Sequence, residues 1–292
     1  MRHGSNVRPS PLPLLRPARA LVLLAGLAGL AALPAQADDH CAHSRPLTLT
    51  PDLEGVKQVR FEIGAHELDL RGSDGPLALE ALACVSDPGY FEQIRFSQDR
   101  RGDTLVVTAR REGRMISWFF NPSYAYLKIT ARLPRDLAYD VDVGSGDAHV
   151  RDVARLESRV GSGDIEVSDI EGQVEARVGS GDFEAANIGS LEIGSIGSGD
   201  AEVRGVKGDA RVGSIGSGDL DLLRVGGDVE IGSIGSGDAT LRGIGGSVTI
   251  QSIGSGDADV IDVAGDLTVH SIGSGDVDAR DVRGRQSLPD DR

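Results

Sequence analysis

The fold is decided by the stretch Ile215-Gly216-Ser217-Gly218-Asp219-Leu220-Asp221-Leu222-Leu223-Arg224-Val225-Gly226-Gly227-Asp228-Val229-Glu230-Ile231-Gly232-Ser233, after which Ile234 leads into the same Gly-Ser-Gly-Asp again. That tetrapeptide occurs eight times, with aspartates at Asp147, Asp164, Asp182, Asp200, Asp219, Asp238, Asp257 and Asp276, in steps of 17, 18, 18 and then 19 residues. A unit of this length cannot bury an apolar face alone, so a period this regular means copies stacked on one another.

The columns of the repeat say how. Directly after each aspartate stands Ala148, Ile165, Phe183, Ala201, Leu220, Ala239, Ala258 or Val277, and two residues further on Val150, Val167, Ala185, Val203, Leu222, Leu241, Val260 or Ala279. All are apolar, which is the alternation of a strand with one face turned inward. Six residues after the aspartate every coil carries Val or Ile, the β-branched side chains suited to strands. A glycine usually follows, and then a second strand such as Val229 and Ile231 or Val248 and Ile250. Changes of coil length fall between these columns, where an extra residue is absorbed as a bulge. Inward columns of like residues predict an all-β fold, a single-stranded parallel β-helix or β-solenoid, its eight coils rising roughly 38 Å at the usual strand spacing. No helical period of useful length follows residue 37, so a Rossmann or barrel fold is excluded.

Upstream, Val59, Phe61 and Ile63, then Leu68 and Leu70, then Leu77, Leu79, Ala81 and Ala83 keep the period of two. Gly64-Ala65-His66-Glu67 reads as a worn copy of the later turn, so the repeat is expected to begin near Val59. Ser86-Asp87-Pro88-Gly89 is a turn signal, Tyr90 to Phe96 a short helix or loop, and Asp103 to Arg110 another strand. The expected organisation is a signal peptide at 1–37, an irregular N-terminal β region at 38–139 that contains the first coils and acts as a cap, regular repeats at 140–284, and a polar tail at 285–292 expected to block end-to-end pairing.

The leader assignment rests on Arg2, Arg8, Arg16 and Arg19, an uncharged apolar run from Ala20 to Leu33, and the small-x-small site Ala35-Gln36-Ala37. The run is too short for a comfortable membrane span, and no transmembrane segment is expected in the mature chain. The expected location is therefore the periplasm, the cell surface or the medium. Loss of the leader leaves 26 of the 30 Lys and Arg against 45 acidic residues, taking the net charge from −15 to −19. Such a surface repels nucleic acid and anionic lipid and favours cations or basic partners. In an oxidising compartment Cys41 and Cys84, the only cysteines, are expected to form a structural disulfide; a reactive or metal-binding cysteine is the alternative. A mature end at Asp38-Asp39-His40 would offer Cu(II) or Ni(II) a square-planar amine, amide and imidazole set, against the plainer reading of a flexible terminus.

The leader, the Cys41 region, the Gly-Ser-Gly-Asp turns with their apolar pairs, and Ser123-Tyr124-Ala125-Tyr126-Leu127 together resemble the bacterial putative-adhesin family related to the head GIN domain, over nearly the whole mature chain. The resemblance implies a right-handed β-helix, an adhesive or envelope role, and no agreed catalytic residues.

Two candidate sites stand out. Trp118, Phe119, Phe120, Tyr124 and Tyr126 crowd one segment of a protein that is only 4% aromatic, and aromatics give large contact area at little entropic cost. They are read as a ligand contact for an envelope polymer or protein surface, or else as a hydrophobic lid on the stack. The second is an outer acidic stripe: Asp164 with Glu166, Asp182 with Glu184, Asp200 with Glu202, Asp219 with Asp221, Asp257 with Asp259, and Asp276 with Asp278. Stacked charges about 4.8 Å apart repel by roughly 0.9 kcal/mol per pair even in water. Bound Ca²⁺ would relieve this, and so would hydrogen bonds from backbone N–H groups of each aspartate's own turn. No other cofactor is expected. Arg151, Arg204, Arg242 and Arg280 recur as salt partners for the stripe, while His66, His149 and His270 stand in different coils without companions. The chain is therefore read as a non-catalytic exported binding or scaffold protein, with a Ca²⁺-binding module and a polysaccharide-acting β-helix enzyme as alternatives.

Overall fold

The computed structural model describes residues 41–113 and 123–289. Strands stack in parallel into a β-solenoid of about eight turns, and the repeat columns lie directly over one another. Val203 pairs with Leu222, Leu222 with Leu241 and Leu241 with Val260 in successive coils, all essentially fully buried. Each regular coil has two strands. The strand after a Gly-Ser-Gly-Asp turn, such as Ala201–Val206 or Leu220–Val225, builds one sheet; the strand before the next turn, such as Ala210–Ile215 or Val229–Ile234, builds the other. The core is the pile of Val, Ile, Leu and Ala between them.

The turn explains its own sequence. At Gly218 an added Cβ would lie 1.8 Å from the Gly199 carbonyl oxygen of the coil beneath, and the same clash recurs at Gly163, Gly181, Gly237, Gly256 and Gly275. Glycine is needed there because backbone stacks on backbone, with Ser217 N–H donating to the Gly197 carbonyl at 2.8 Å. The step from 18 to 19 residues appears between Val206 and Ala210, where three residues stand over the two between Ile188 and Leu191.

The N-terminal coils are assembled out of sequence order. After β1 (His43–Leu49), the strands β2 (Gln58–Gly64) and β3 (Glu67–Ser73) form a coil through the worn turn. Next come β4 (Ala78–Val85), a 3₁₀ turn over Pro88–Gln93, β5 (Ile94–Arg101), β6 (Thr104–Arg111) and β7 (Ala125–Pro134). The strands β8 (Ala138–Val143) and β9 (Asp147–Arg151) flank the first intact turn. β2 lies between β6 and β8, and β3 between β7 and β9, all parallel. The earliest coil is thus inserted above a later one. Antiparallel strands close that end: β5 on β6, and β4 then β1 on β7. Ile94 to Arg101, part of which the sequence suggested as helix or loop, is a strand because the turn at Gly102 (φ +67) folds it back on β6.

Candidate functional site

On the closed N-terminal flank the disulfide Cys41–Cys84 is formed, its Cα atoms 5.2 Å apart, and ties the start of the described chain to β4. Around it gather Tyr90, Phe91, Phe96, Tyr124 and Tyr126, all half-buried. The Arg45 guanidinium sits 4.2 Å over the Phe91 ring. Tyr124 Oη accepts the Ala42 N–H at 2.8 Å, and its ring meets that of Tyr126 at 5.9 Å between centroids, tilted by 48°. Tyr90, Phe91 and Phe96 pack against the core, and all five rings stay partly exposed. Trp118, Phe119 and Phe120, together with Asp38-Asp39-His40 and the leader, lie outside the described residues.

The acidic stripe is exposed along the first sheet, as the alternation required. Its turn aspartates, however, are not satisfied within their own turns. The Asp164 carboxylate accepts the N–H of Asp182 in the next coil at 3.0 Å, Asp200 accepts that of Asp219 at 2.9 Å, and the series continues through Asp257 to Asp276 at 2.8 Å. The expectation of local bonds is corrected: parallel stacking places each N–H over the previous carboxylate, and this ladder offsets the repulsion between like charges. Arg204 and Arg280 pair with Glu202 and Asp278 two residues before them, and Arg151 reaches Asp69 at 3.4 Å. His149 has a companion after all, Glu166 at 3.0 Å in the adjacent coil. Among the described residues no group of three or more His, Cys, Asp or Glu is close enough to hold a metal ion.

The opposite corner was missed by the column reading. The fifth residue after each turn aspartate, Asp152, Asp169, Asn187, Gly205, Arg224, Gly243, Asp262 or Asp281, has φ between 56° and 80°. Seven of the eight are Gly, Asn or Asp, the residues that tolerate this left-handed conformation, and that was the available signal. A second ladder runs beside them: Asp209 accepts the N–H of Asp228 at 3.0 Å, Asp228 that of Ser247 at 2.7 Å, Ser247 Oγ that of Asp266 at 3.1 Å, and Asp266 that of Arg285 at 2.8 Å. The N–H of Arg285, and then its guanidinium, hold the Asp266 carboxyl below the usual carboxylate range.

Along this corner runs a groove of about 380 Å³ between Arg135 and Lys207, lined by Asp136, Asp152, Asp169 and Asn187. An arginine beside acids in a cleft is what a polysaccharide-acting enzyme would require. Here Arg135 is held by Asp74 at 3.1 Å, Asp152 by Arg71 at 3.1 Å, and Asp169 by the Asn187 amide at 3.2 Å. Arg135, Asp152 and Asp169 are thus each engaged by a neighbour, while Asp136, Glu171 and Lys207 complete the lining.

Two buried groups mark the joint between irregular and regular coils. Asp140 is fully buried between Arg60 (2.6 Å) and Arg159 (3.0 Å), which lie on the strands to either side. His66 occupies the second-glycine position of the worn turn and is buried, its Nδ1 accepting the Leu127 N–H at 3.2 Å. Burial, aided by the charge of Arg111, lowers its pKa to about 4, so it stays neutral at ordinary pH.

No family profile and no curated protein sequence matches the chain. Its likeness is to solved structures. A "putative lipid binding protein" from Parabacteroides distasonis is 17% identical, with a TM-score of 0.50 over 85% of this chain and 98% of that one. A "putative adhesin" from Parabacteroides merdae is 15% identical, with a TM-score of 0.51 over 84% of this chain and 96% of that one. At such identities the likeness concerns the fold, which these proteins share along nearly their whole length. No helix among the described residues is long and apolar enough to cross a membrane.

Proposed function

We propose that the chain is an exported, non-catalytic binding protein of the cell envelope, adhesin-like, that holds an envelope polymer or protein surface against its N-terminal flank. The observation that carries this reading is the cluster of half-exposed aromatics Phe91, Tyr124 and Tyr126 on a disulfide-braced frame. Elsewhere on the described surface charged and small polar side chains dominate, and the large apolar residues most open to water are Leu77 and Leu288. Rigid aromatics that keep one face in water are the usual anchors of a contact surface. The solenoid behind them serves as a stiff spacer. The "adhesin" name carried by one fold neighbour agrees with this role.

The test is retention of the mature protein on purified envelope fractions. Phe91→Ala with Tyr126→Ala, and separately Trp118→Ala, should each weaken retention at least about tenfold. Retention no better than that of an unrelated acidic protein, or unchanged by these substitutions, overturns the reading. A chelator arm and a melt in Ca²⁺ test the acidic stripe: a raised midpoint would support a cation module in its place.

A further inference from the structure

The two ends of the solenoid are finished differently. At the N-terminal end antiparallel strands cover both sheets, and the outermost, β1, carries Arg45 and Pro46, which discourage further pairing. At the other end, among the described residues, the tail adds only Gln286–Ser287, and that strand pairs in the second sheet alone. Among the described residues the last strand of the first sheet, Val277–Val282, pairs only with Ala258–Val263. The layer beneath is sealed, with Ala258, Val260 and Val263 at 1% exposure or less, but Ile272, Val277, Ala279 and Val282 are half-buried and Leu288 is 40% exposed.

We propose that this end is a self-association surface, on which a second copy of the chain lays its Val277–Val282 strand antiparallel to the first about a twofold axis through Ala279. The hydrogen-bonding sense of the strand selects that register. Ala258 N–H donates to the Asp276 carbonyl, and Ala258 lies opposite Val277. In a parallel ladder the backbone groups of Asp278 and Arg280 therefore point inward to the neighbouring strand, and those of Val277 and Ala279 point out of the open edge. An antiparallel partner must set outward residues opposite outward residues. Asp281, left-handed at φ 56, ends the regular alternation, so two registers near the middle of the strand do so.

Charge distinguishes the two. Pairing Val277 with Ala279 would set Asp278 against its own copy. Pairing Ala279 with Ala279 sets Asp278 against Arg280 on both sides of the axis. Those two positions are then non-hydrogen-bonded pairs, where opposing side chains come closest. Both side chains are exposed on the outer face, where Asp278 and Arg280 already pair within one chain. Repulsion between copies is also locally absent: residues 277–288 hold three arginines and two aspartates in a protein of net charge −15. The contact is self-complementary and closes at two copies.

Sedimentation velocity on the mature protein tests this at about 100 µM, within reach of a small interface. The expected result is a dimer that dissociates on dilution. Asp278→Arg alone and Arg280→Asp alone each place like charges in both cross-strand pairs and should weaken the dimer at least about tenfold. An equimolar mixture of the two variants should restore association as a heterodimer, and the double exchange in one chain should restore the homodimer. Both side chains face solvent, so the core is untouched, and recovery in the mixture itself shows that both variants fold. A parent that stays monomeric, single variants that associate as well as the parent, a mixture that stays monomeric, or open-ended polymers in place of dimers would each overturn the proposal.

Discussion

The coils from Gly144 onward and the coils beneath them reach the same stacked geometry by different means. In the regular part each layer supports the next through identical contacts: aliphatic columns inside, glycine backbone stacked at one corner, and carboxylate ladders at both. In the N-terminal part the coils come out of sequence order, so the columns that continue through them, such as Ala148 over Leu68 over Ile129, do not follow the count along the chain. Their cohesion comes from single-use devices: the Cys41–Cys84 disulfide, the buried Asp140 between Arg60 and Arg159, and His66 in a slot that glycine fills elsewhere. Repetition spreads stability evenly over neighbours, whereas the cap concentrates it in a few side chains.

That contrast can be broken most directly at the glycine corner. Gly218→Ala places a methyl group 1.8 Å from a carbonyl oxygen that cannot move without parting two coils, and should cost more than about 4 kcal/mol in a urea melt. Gly102→Ala, in the β5–β6 hairpin at φ +67 with nothing within 4 Å of the new methyl, should cost only about 1 kcal/mol. Equal effects would mean that the coils are not packed backbone to backbone.

Reducing the disulfide, which closes a 43-residue separation, should remove up to about 4 kcal/mol from the N-terminal part. In hydrogen exchange the loss should appear in β1 and β4, while the coils from Ala201 to Val282 keep their protection. Uniform loss along the chain would show one cooperative unit rather than two kinds of cohesion.

His66 should give the cap a pH dependence that the repeats lack. Its folded pKa of about 4 lies below the ordinary 6.5, so between these values the unfolded chain binds the extra proton. Stability is then full above pH 6.5 and declines as pH falls toward 4, by about 3 kcal/mol at most. His66→Gln should remove that part of the slope in melts between pH 7 and 4. An unchanged slope would mean that the imidazole is not sealed from water.

The smallest effect is expected at a single rung of the ladder. Asp219→Ala takes the acceptor from the Asp238 N–H and should cost about 1 kcal/mol, while Asp219→Asn, which keeps an oxygen in place, should cost less. A gain in stability on removing the charge would mean that repulsion along the stripe outweighs the ladder.

The regular coils were legible because their interior residues recur: Val203, Leu222 and Leu241 could be placed over one another by counting. The left-handed column was there to be seen in Asp152, Asn187, Gly205 and their counterparts, but its side chains vary and it carries no apolar signal. The aromatic segment was visible as composition, and Tyr124 and Tyr126 do lie half-exposed on the capped flank. Sequence gave no sign that Arg60, Asp140 and Arg159 meet, since they are separated along the chain and belong to no column.

What the amino-acid sequence determined by itself is the period, and with it the direction of every inward side chain from Ala148 to Ala279, because alternation and glycine placement are local properties of the backbone. What only the tertiary structure decided is which coil lies on which below Gly144, and which N–H each carboxylate receives. Those depend on contacts between segments whose separation along the chain says nothing of their distance in space, and a local pattern carries no information about them.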